Sequence, residues 1–136
     1  LKTKAVDLME SLSDRPDFAY HLMLSNLYTN KRKFGLAQTH LEKCYEAIPK
    51  HKHSLLDEAD LYFSTAKFYF YGKNIDQTEV YSKASLAIYK EIDSQHPELC
   101  RIYCMLGNIC LEKGSFSEVR DYLTKATELS RIAMLP

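Results

Sequence analysis

The sequence predicts an all-α protein, an α-α superhelix of about three helix-pair repeats with one further helix ahead of them. Three observations predict it. The 136 residues include only four glycines and four prolines, so the chain has few places to turn and favours long helices over short strands. Aromatic, small and aliphatic residues recur at matched places every 41 residues through three copies. Within each copy the apolar residues fall three, four and seven apart, which is one face of a helix.

The elements follow in order, within a single domain over 1–136. Residues 1–12 place Ala5, Leu8, Met9 and Leu12 on one face and read as the second helix of a preceding repeat. The first full repeat, 16–48, opens at Pro16, where a first helical turn tolerates proline. It carries His21, Leu24, Ser25 and Tyr28 on its first helix, then Phe34, Ala37, Leu41 and Cys44 on its second, and ends before Pro49. The second repeat, 54–92, starts on Ser54 with Asp57 and shows Tyr62, Thr65, Ala66 and Tyr69. Gly72 closes that helix, Asn74 with Gln77 opens the next, and Ile75, Thr78, Ser82 and Ser85 follow. Ser82 is a poor core residue, and Tyr81 with Ala84 would pack better, which leaves this helix free to slip by one residue. The third repeat, 96–132, begins near Pro97 and carries Tyr103, Leu106, Gly107 and Cys110. Gly114 ends its first helix. Ser115 to Glu118 spell a capping box for the second, lined by Phe116, Val119, Leu123 and Ala126.

The small residue of each first helix, Ser25, Ala66 or Gly107, lets the partner helix approach closely, and larger neighbours fill the gaps. The expected architecture is seven helices stacked as antiparallel pairs in a right-handed superhelix.

Composition excludes several classes. Eighteen basic residues balance eighteen acidic ones, and a surface without excess positive charge does not grip a phosphate backbone, so no direct nucleic-acid contact is expected. No run approaches the roughly 20 apolar residues that span a bilayer. Cys44, Cys100, Cys104 and Cys110 stand among apolar neighbours and read as packed thiols of a reducing compartment, which points to the cytoplasm. The chain opens on Leu1 rather than Met and reads as a piece of something longer.

The order of these residues resembles the tetratricopeptide repeat, whose pattern is W-x2-L-G-x2-Y, then A-x3-F, then P. His21-x2-Leu24-Ser25-x2-Tyr28, Ala37-x3-Leu41 and Pro49 follow it with substitutions, as do Tyr103-x2-Leu106-Gly107-x2-Cys110 and Val119-x3-Leu123-x2-Ala126. The departures are a missing Trp, a blurred middle copy and a period of 41 rather than about 34. Longer repeats of this kind are similar to those of kinesin light chains and of the peptide-sensing regulators of Gram-positive bacteria.

The resemblance implies that the first helix of each pair lines a concave groove that meets a peptide or protein ligand. Helical geometry then turns the position after the small residue toward that groove: Asn26, Lys67 and Asn108. Leu22, Thr29, Phe63, Phe70, Cys104 and Arg101 share the stripe. An Asn amide carries a donor and an acceptor and so can pair with both N–H and C=O of an extended peptide. Lys67 and Arg101 suit a carboxylate. The alternative for Asn26 and Asn108 is a solvated helix face that touches nothing. The dicarboxylate clamp of chaperone-binding members wants a basic residue where Leu22 stands, so a chaperone-tail receptor fits poorly. The aromatic run Phe68 to Tyr71 reads as packing between repeats, or else as a pocket for an apolar side chain of the peptide.

No residue set asks for catalysis, a metal or a cofactor. His96, Cys100 and Cys104 fall four apart along one helix face, yet zinc sites close with a fourth ligand and tight C-x2-C loops. Cys100 and Cys104 read better as packed within the stack. Cys110 occupies an aromatic position of the repeat and reads as buried rather than nucleophilic. His51 to His53 lies in a polar loop, and no phosphate-binding or H-E-x-x-H motif occurs. Glu42, Glu46, Asp57, Glu58 and Asp60 read as surface charges paired with lysines. The expected function is the sensor or regulatory part of a larger bacterial intracellular transcriptional regulator. The alternative is an adaptor that assembles protein complexes without a peptide switch. Exposed repeat ends would also allow two copies to pair as a homodimer.

Overall fold

A computed structural model describes residues 16–48 and 54–134. Among the described residues there are six helices and no strand: α1 (Pro16–Asn30), α2 (Phe34–Ala47), α3 (Leu55–Tyr71), α4 (Ile75–Ile92), α5 (Glu98–Lys113) and α6 (Phe116–Ala133). They form three hairpins, α1–α2, α3–α4 and α5–α6, stacked in chain order as an all-α helical repeat solenoid. The helix foreseen over 1–12 and the His51 to His53 loop lie outside the described residues.

One turn closes all three hairpins. Arg32, Lys73 and Gly114 stand 41 residues apart, and all adopt left-handed backbone, with φ of 63°, 68° and 77°. In each turn that residue's N–H donates to the carbonyl three residues back (Thr29, Phe70, Leu111; 3.0–3.1 Å). The next N–H donates to the carbonyl five back (Tyr28, Tyr69, Cys110; 2.9 Å). This is the Schellman arrangement, which satisfies carbonyls that a helix end leaves bare. Gly72 caps the end of α3 as expected, but with φ −83°, and Lys73 takes the left-handed position. A Cβ there crowds the following carbonyl at a cost of about 1–2 kcal/mol, which glycine avoids. Lys73→Gly should therefore stabilise the protein by about 1 kcal/mol, read as a higher urea midpoint with unchanged slope. An unmoved midpoint would mean that this backbone carries no strain. Arg32 is a less clean test, because its guanidinium lies 4.2 Å from the centroid of the Tyr71 ring.

The helix starts differ more. Ser54 and Asp57 form the expected capping box, and Asn74 Oδ1 accepts the Gln77 N–H at 3.2 Å. The box at Ser115 does not form. Ser115 has ψ 70°, its hydroxyl caps nothing, and the Glu118 carboxylate instead accepts the Cys110 thiol at 3.4 Å. At α5, Pro97 stands just before the helix, and His96 supplies the cap, its Nδ1 accepting the Glu98 N–H at 3.1 Å.

Inside the hairpins the small-residue series holds: Ser25, Ala66 and Gly107 are all buried. A second period-matched feature joins the two helices of every pair. Cys44 Sγ donates to the Phe18 carbonyl (3.7 Å), Ser85 Oγ to the Ala59 carbonyl (2.9 Å) and Cys100 Sγ to the Ala126 carbonyl (3.4 Å). The three pairs are equivalent positions, but the donor sits on the second helix twice and on the first helix once. A short side chain with a proton to give reaches the facing carbonyl only where the two backbones cross closely.

The foreseen slip in α4 does not occur. Thr78, Ser82 and Ser85 are fully buried, while Tyr81 and Ala84 are half-buried. Tyr81 has its own place between the two helices, its ring stacked on Tyr69 at 5.7 Å and tilted against Tyr62 at 6.0 Å. The serines admit α3 closely, as the Ser85 bond to Ala59 requires. Ser82 Oγ is buried without a hydrogen-bond partner among the described residues.

Two core clusters run across the junctions between hairpins. Phe18, Leu41 and Cys44 of the first hairpin pack with Leu61 of α3. Phe68 meets Phe34 edge-on at 6.0 Å across the same junction. The larger cluster joins Ala59, Phe63 and Ala66 of α3 and Tyr89 of α4 to Leu99, Ile102, Tyr103, Leu106 and Ile109 of α5. Burial of this kind, about 25 cal/mol per Å² of apolar surface, is what holds one repeat to the next.

Candidate functional site

Three of the predicted groove residues, Phe63, Lys67 and Arg101, come together in one cluster. On α3, Asp60, Phe63 and Lys67 are three and seven residues apart and so share a face. Phe63 is buried, and its ring carries two cations: Lys67 Nζ at 5.3 Å and Arg101 Cζ at 5.7 Å from the centroid. Arg101 comes from α5, where Glu98, one turn earlier, pairs with it at 3.5 Å. Asp60 accepts the Tyr89 hydroxyl from the end of α4, and the Tyr89 ring lies 4.7 Å from His96. Helices α3, α4 and α5 thus bring Lys67, Arg101, Asp60 and Glu98 together around one aromatic floor.

The electrostatics follow from this crowding. Burial pushes the Lys67 ammonium below the usual lysine range, and the Arg101 charge adds to that, while Glu98 and Asp60 oppose it. Burial raises the Asp60 carboxyl, against the Tyr89 hydroxyl, His96 and Lys67, which favour its charge. Burial chiefly, then the bond to Asp60, raises the Tyr89 phenol. A half-buried cation crowded by a second cation is a place where an incoming anion gains more than it would on open surface.

Asn26 and Asn108 occupy the positions equivalent to Lys67, but their settings differ. Asn26 is half-buried, and its Oδ1 is enclosed without a partner among the described residues; Asn108 is exposed. Phe70 is half-buried, with its ring 5.9 Å from Tyr71. Among the described residues, Asn26, Asn108 and Phe70 make no hydrogen bond or ring contact with the Lys67–Arg101 cluster. Of the other stripe residues Thr29 is buried, Leu22 half-buried and Cys104 exposed. The aromatic run of α3 divides its tasks: Phe68 spans a junction, Tyr69 stacks inside its hairpin and Tyr71 holds Arg32.

Two sequence expectations need correction here. Asp57 and Asp60 are not solvated surface charges, because Asp57 is buried in its capping box and Asp60 faces Tyr89. Cys100 and Cys104 do not both pack in the stack: Cys100 is half-buried, with its thiol given to Ala126, and Cys104 is exposed. His96 directs Nδ1 to a helix start, and among the described residues no three His, Cys, Asp or Glu side chains converge as metal ligands. Cys110 is buried with its thiol on Glu118. Burial alone raises the Cys44 thiol to about 12, far from a reactive thiolate. One further pairing went unforeseen. His21 and His40 face each other across α1 and α2, Nδ1 to Nδ1 at 2.9 Å, with Tyr28 stacked on His40 at 5.6 Å. Burial lowers both imidazoles, and mutual repulsion lowers His21 further.

Two family models, each described as tetratricopeptide repeat, match residues 57–132 and residues 18–51. The chain belongs to the tetratricopeptide repeat family. The longer match alone covers more than half of the 136 residues and takes in the whole Lys67–Arg101 cluster. No curated protein and no solved structure matches the chain. Tetratricopeptide repeats are protein-interaction modules, typically non-catalytic, so a protein partner is implied. No described helix is long and apolar enough to cross a membrane.

Proposed function

We propose that this tetratricopeptide array binds an extended peptide, or an extended segment of a partner protein, along the first-helix stripe, with an acidic group of the ligand at Lys67 and Arg101. The supporting observation is the crowding of those two cations over Phe63: a carboxylate between them relieves their repulsion and stacks its stem on the ring. Asn26 and Asn108 extend the stripe on either side as amides able to pair with a peptide backbone, and Phe70 offers an apolar contact one level along α3. Binding of this kind needs neither catalysis nor a cofactor.

The 41-residue period, similar to that of peptide-sensing bacterial regulators, supports placing the array as the sensing part of a larger cytoplasmic regulator. Ligand contacts would then shift the balance between two packings of the hairpins. An adaptor role without a switch is the second reading, favoured by the exposed apolar surface of the last hairpin. Selection from a displayed library of ten-residue peptides tests the shared claim. Enriched peptides should carry a conserved acidic position, and Lys67→Glu should weaken them about tenfold or more while helicity is retained. Enrichment without acidic residues, or affinity indifferent to Lys67→Glu, would remove the cluster from the site. Asn108→Ala in the same assay reports on the amide contact, and an unchanged affinity would take Asn108 out of it.

A further inference from the structure

A pair of aromatic rings bridges the two helices of every hairpin, and the first hairpin changes its chemistry. In the second, Tyr62 faces Tyr81 with centroids 6.0 Å apart, and in the third Tyr103 faces Tyr122 at 6.2 Å. The equivalent positions of the first hold His21 and His40, at 5.1 Å. A third ring fixes the seat: Tyr28 stacks on His40 at 5.6 Å and 15°, as Tyr69 stacks on Tyr81 at 5.7 Å and 14°. Phenols keep their protons through the neutral and acid range, whereas imidazoles exchange theirs near about pH 6.5.

The two imidazoles do more than stack. Their Nδ1 atoms lie 2.9 Å apart, so one donates a proton and the other accepts it on a lone pair. The bond survives one added proton, because an imidazolium still donates to a neutral ring. It does not survive two. Both nitrogens then carry hydrogen, no acceptor is left, and two cations face each other at hydrogen-bond distance.

The surroundings offer no net counter-charge. Asp17, one turn before His21 on α1, favours the charged form of that ring, but Lys43 on α2 opposes the charge of both. From α3, which packs on both helices, no charged side chain acts on the pair among the described residues. We propose that His21 and His40 make the first hairpin a proton-sensitive element, in which the second proton parts α1 from α2 while the tyrosine-paired hairpins stay closed. Both rings are half-buried, and burial holds each below its ordinary value of 6.5. The unfolded hairpin therefore binds more protons than the folded one. The stability that the pair contributes is complete above 6.5 and is lost as pH falls through the lowered folded values. The inference uses neither Lys67 nor Arg101, and it stands whether or not the stripe binds a peptide.

Amide hydrogen exchange of the full chain, corrected for the intrinsic effect of pH, reads each hairpin separately. Between about pH 7.5 and about pH 5, protection of α1 and α2 should fall about tenfold more than that of α3 and α4. The second hairpin is the reference because the α5 cap depends on the His96 imidazole. His21→Tyr with His40→Tyr copies the pair of the other hairpins and should remove the difference. The imidazole carbon resonances of the unaltered chain give a readout that needs no variant. His21 and His40 should titrate in two separated steps, with protection of α1 and α2 lost at the second. Independent titrations of the two rings, equal loss of protection in the first two hairpins, or a selective loss that persists in the double variant each overturns the proposal.

Discussion

Tyr89→Ala should cost about 3–5 kcal/mol, a large share of the roughly 5–15 kcal/mol that holds an ordinary domain folded. Tyr89 is fully buried at the end of α4, within the cluster that joins the second hairpin to the third. Its removal opens a cavity between rigid helices and also strips Asp60 of the hydroxyl that satisfies it. The two losses separate by substitution. Tyr89→Phe keeps the packing and removes only the hydroxyl, so its expected cost is about 1–3 kcal/mol for a half-buried carboxylate left short of a donor. In an Asp60→Asn background the same Tyr89→Phe change should cost clearly less, since no carboxylate is then stranded. Urea unfolding followed by circular dichroism measures the four proteins of this cycle together with Tyr89→Ala. Equal costs of Tyr89→Phe in both backgrounds would show that the Asp60 bond contributes nothing.

Gly107 should respond in opposite directions to Ala and to Leu. A Cβ built there meets Leu123 Cδ2 at 3.5 Å, Leu123 Cγ at 3.7 Å and Tyr122 Cβ at 3.8 Å, all ordinary contact. Ala therefore fits, as Ala66 does in the second hairpin, and the gain in helix propensity is up to about 1 kcal/mol. Leu adds three further carbons directed at α6. Leu123 can swing aside, but Tyr122 Cβ is fixed to the helix backbone and cannot. The expected loss is about 1–3 kcal/mol, seen as a lower melting temperature. If Gly107→Leu melts no lower than Gly107→Ala, the close crossing of α5 and α6 is not as described.

The hairpins were legible because the repeat is written in side-chain volume. Ser25, Ala66 and Gly107 differ in chemistry but share smallness, and so do Cys44, Ser85 and Ala126, which is why the 41-residue period places both helices of each pair. Where hydrophobicity stood proxy for burial, the reading faltered. Ser82 looked wrong for a core, yet closeness of approach, not greasiness, decides that position. Lys73 rather than Gly72 took the left-handed turn because the hydrogen-bond pattern, anchored at Tyr69 and Phe70, fixes the place. At the site, Phe63, Lys67 and Arg101 came together as a helical stripe predicts. Asp60 and Tyr89 were missed, although Asp60 lies three residues before Phe63 on the same face. A carboxylate on a helix is ordinarily solvated, and only the end of α4, 29 residues away in sequence, gives this one a reason to turn inward.

The repeat architecture has a mechanical result. The two helices of a pair pack on each other more extensively than on the neighbouring pair, and the two junctions are about equally extensive. Each hairpin is therefore the stiff unit, and bending of the stack is taken up between hairpins. Asn26 rides on the first unit and Lys67 on the second, so a ligand touching both would set the angle between them.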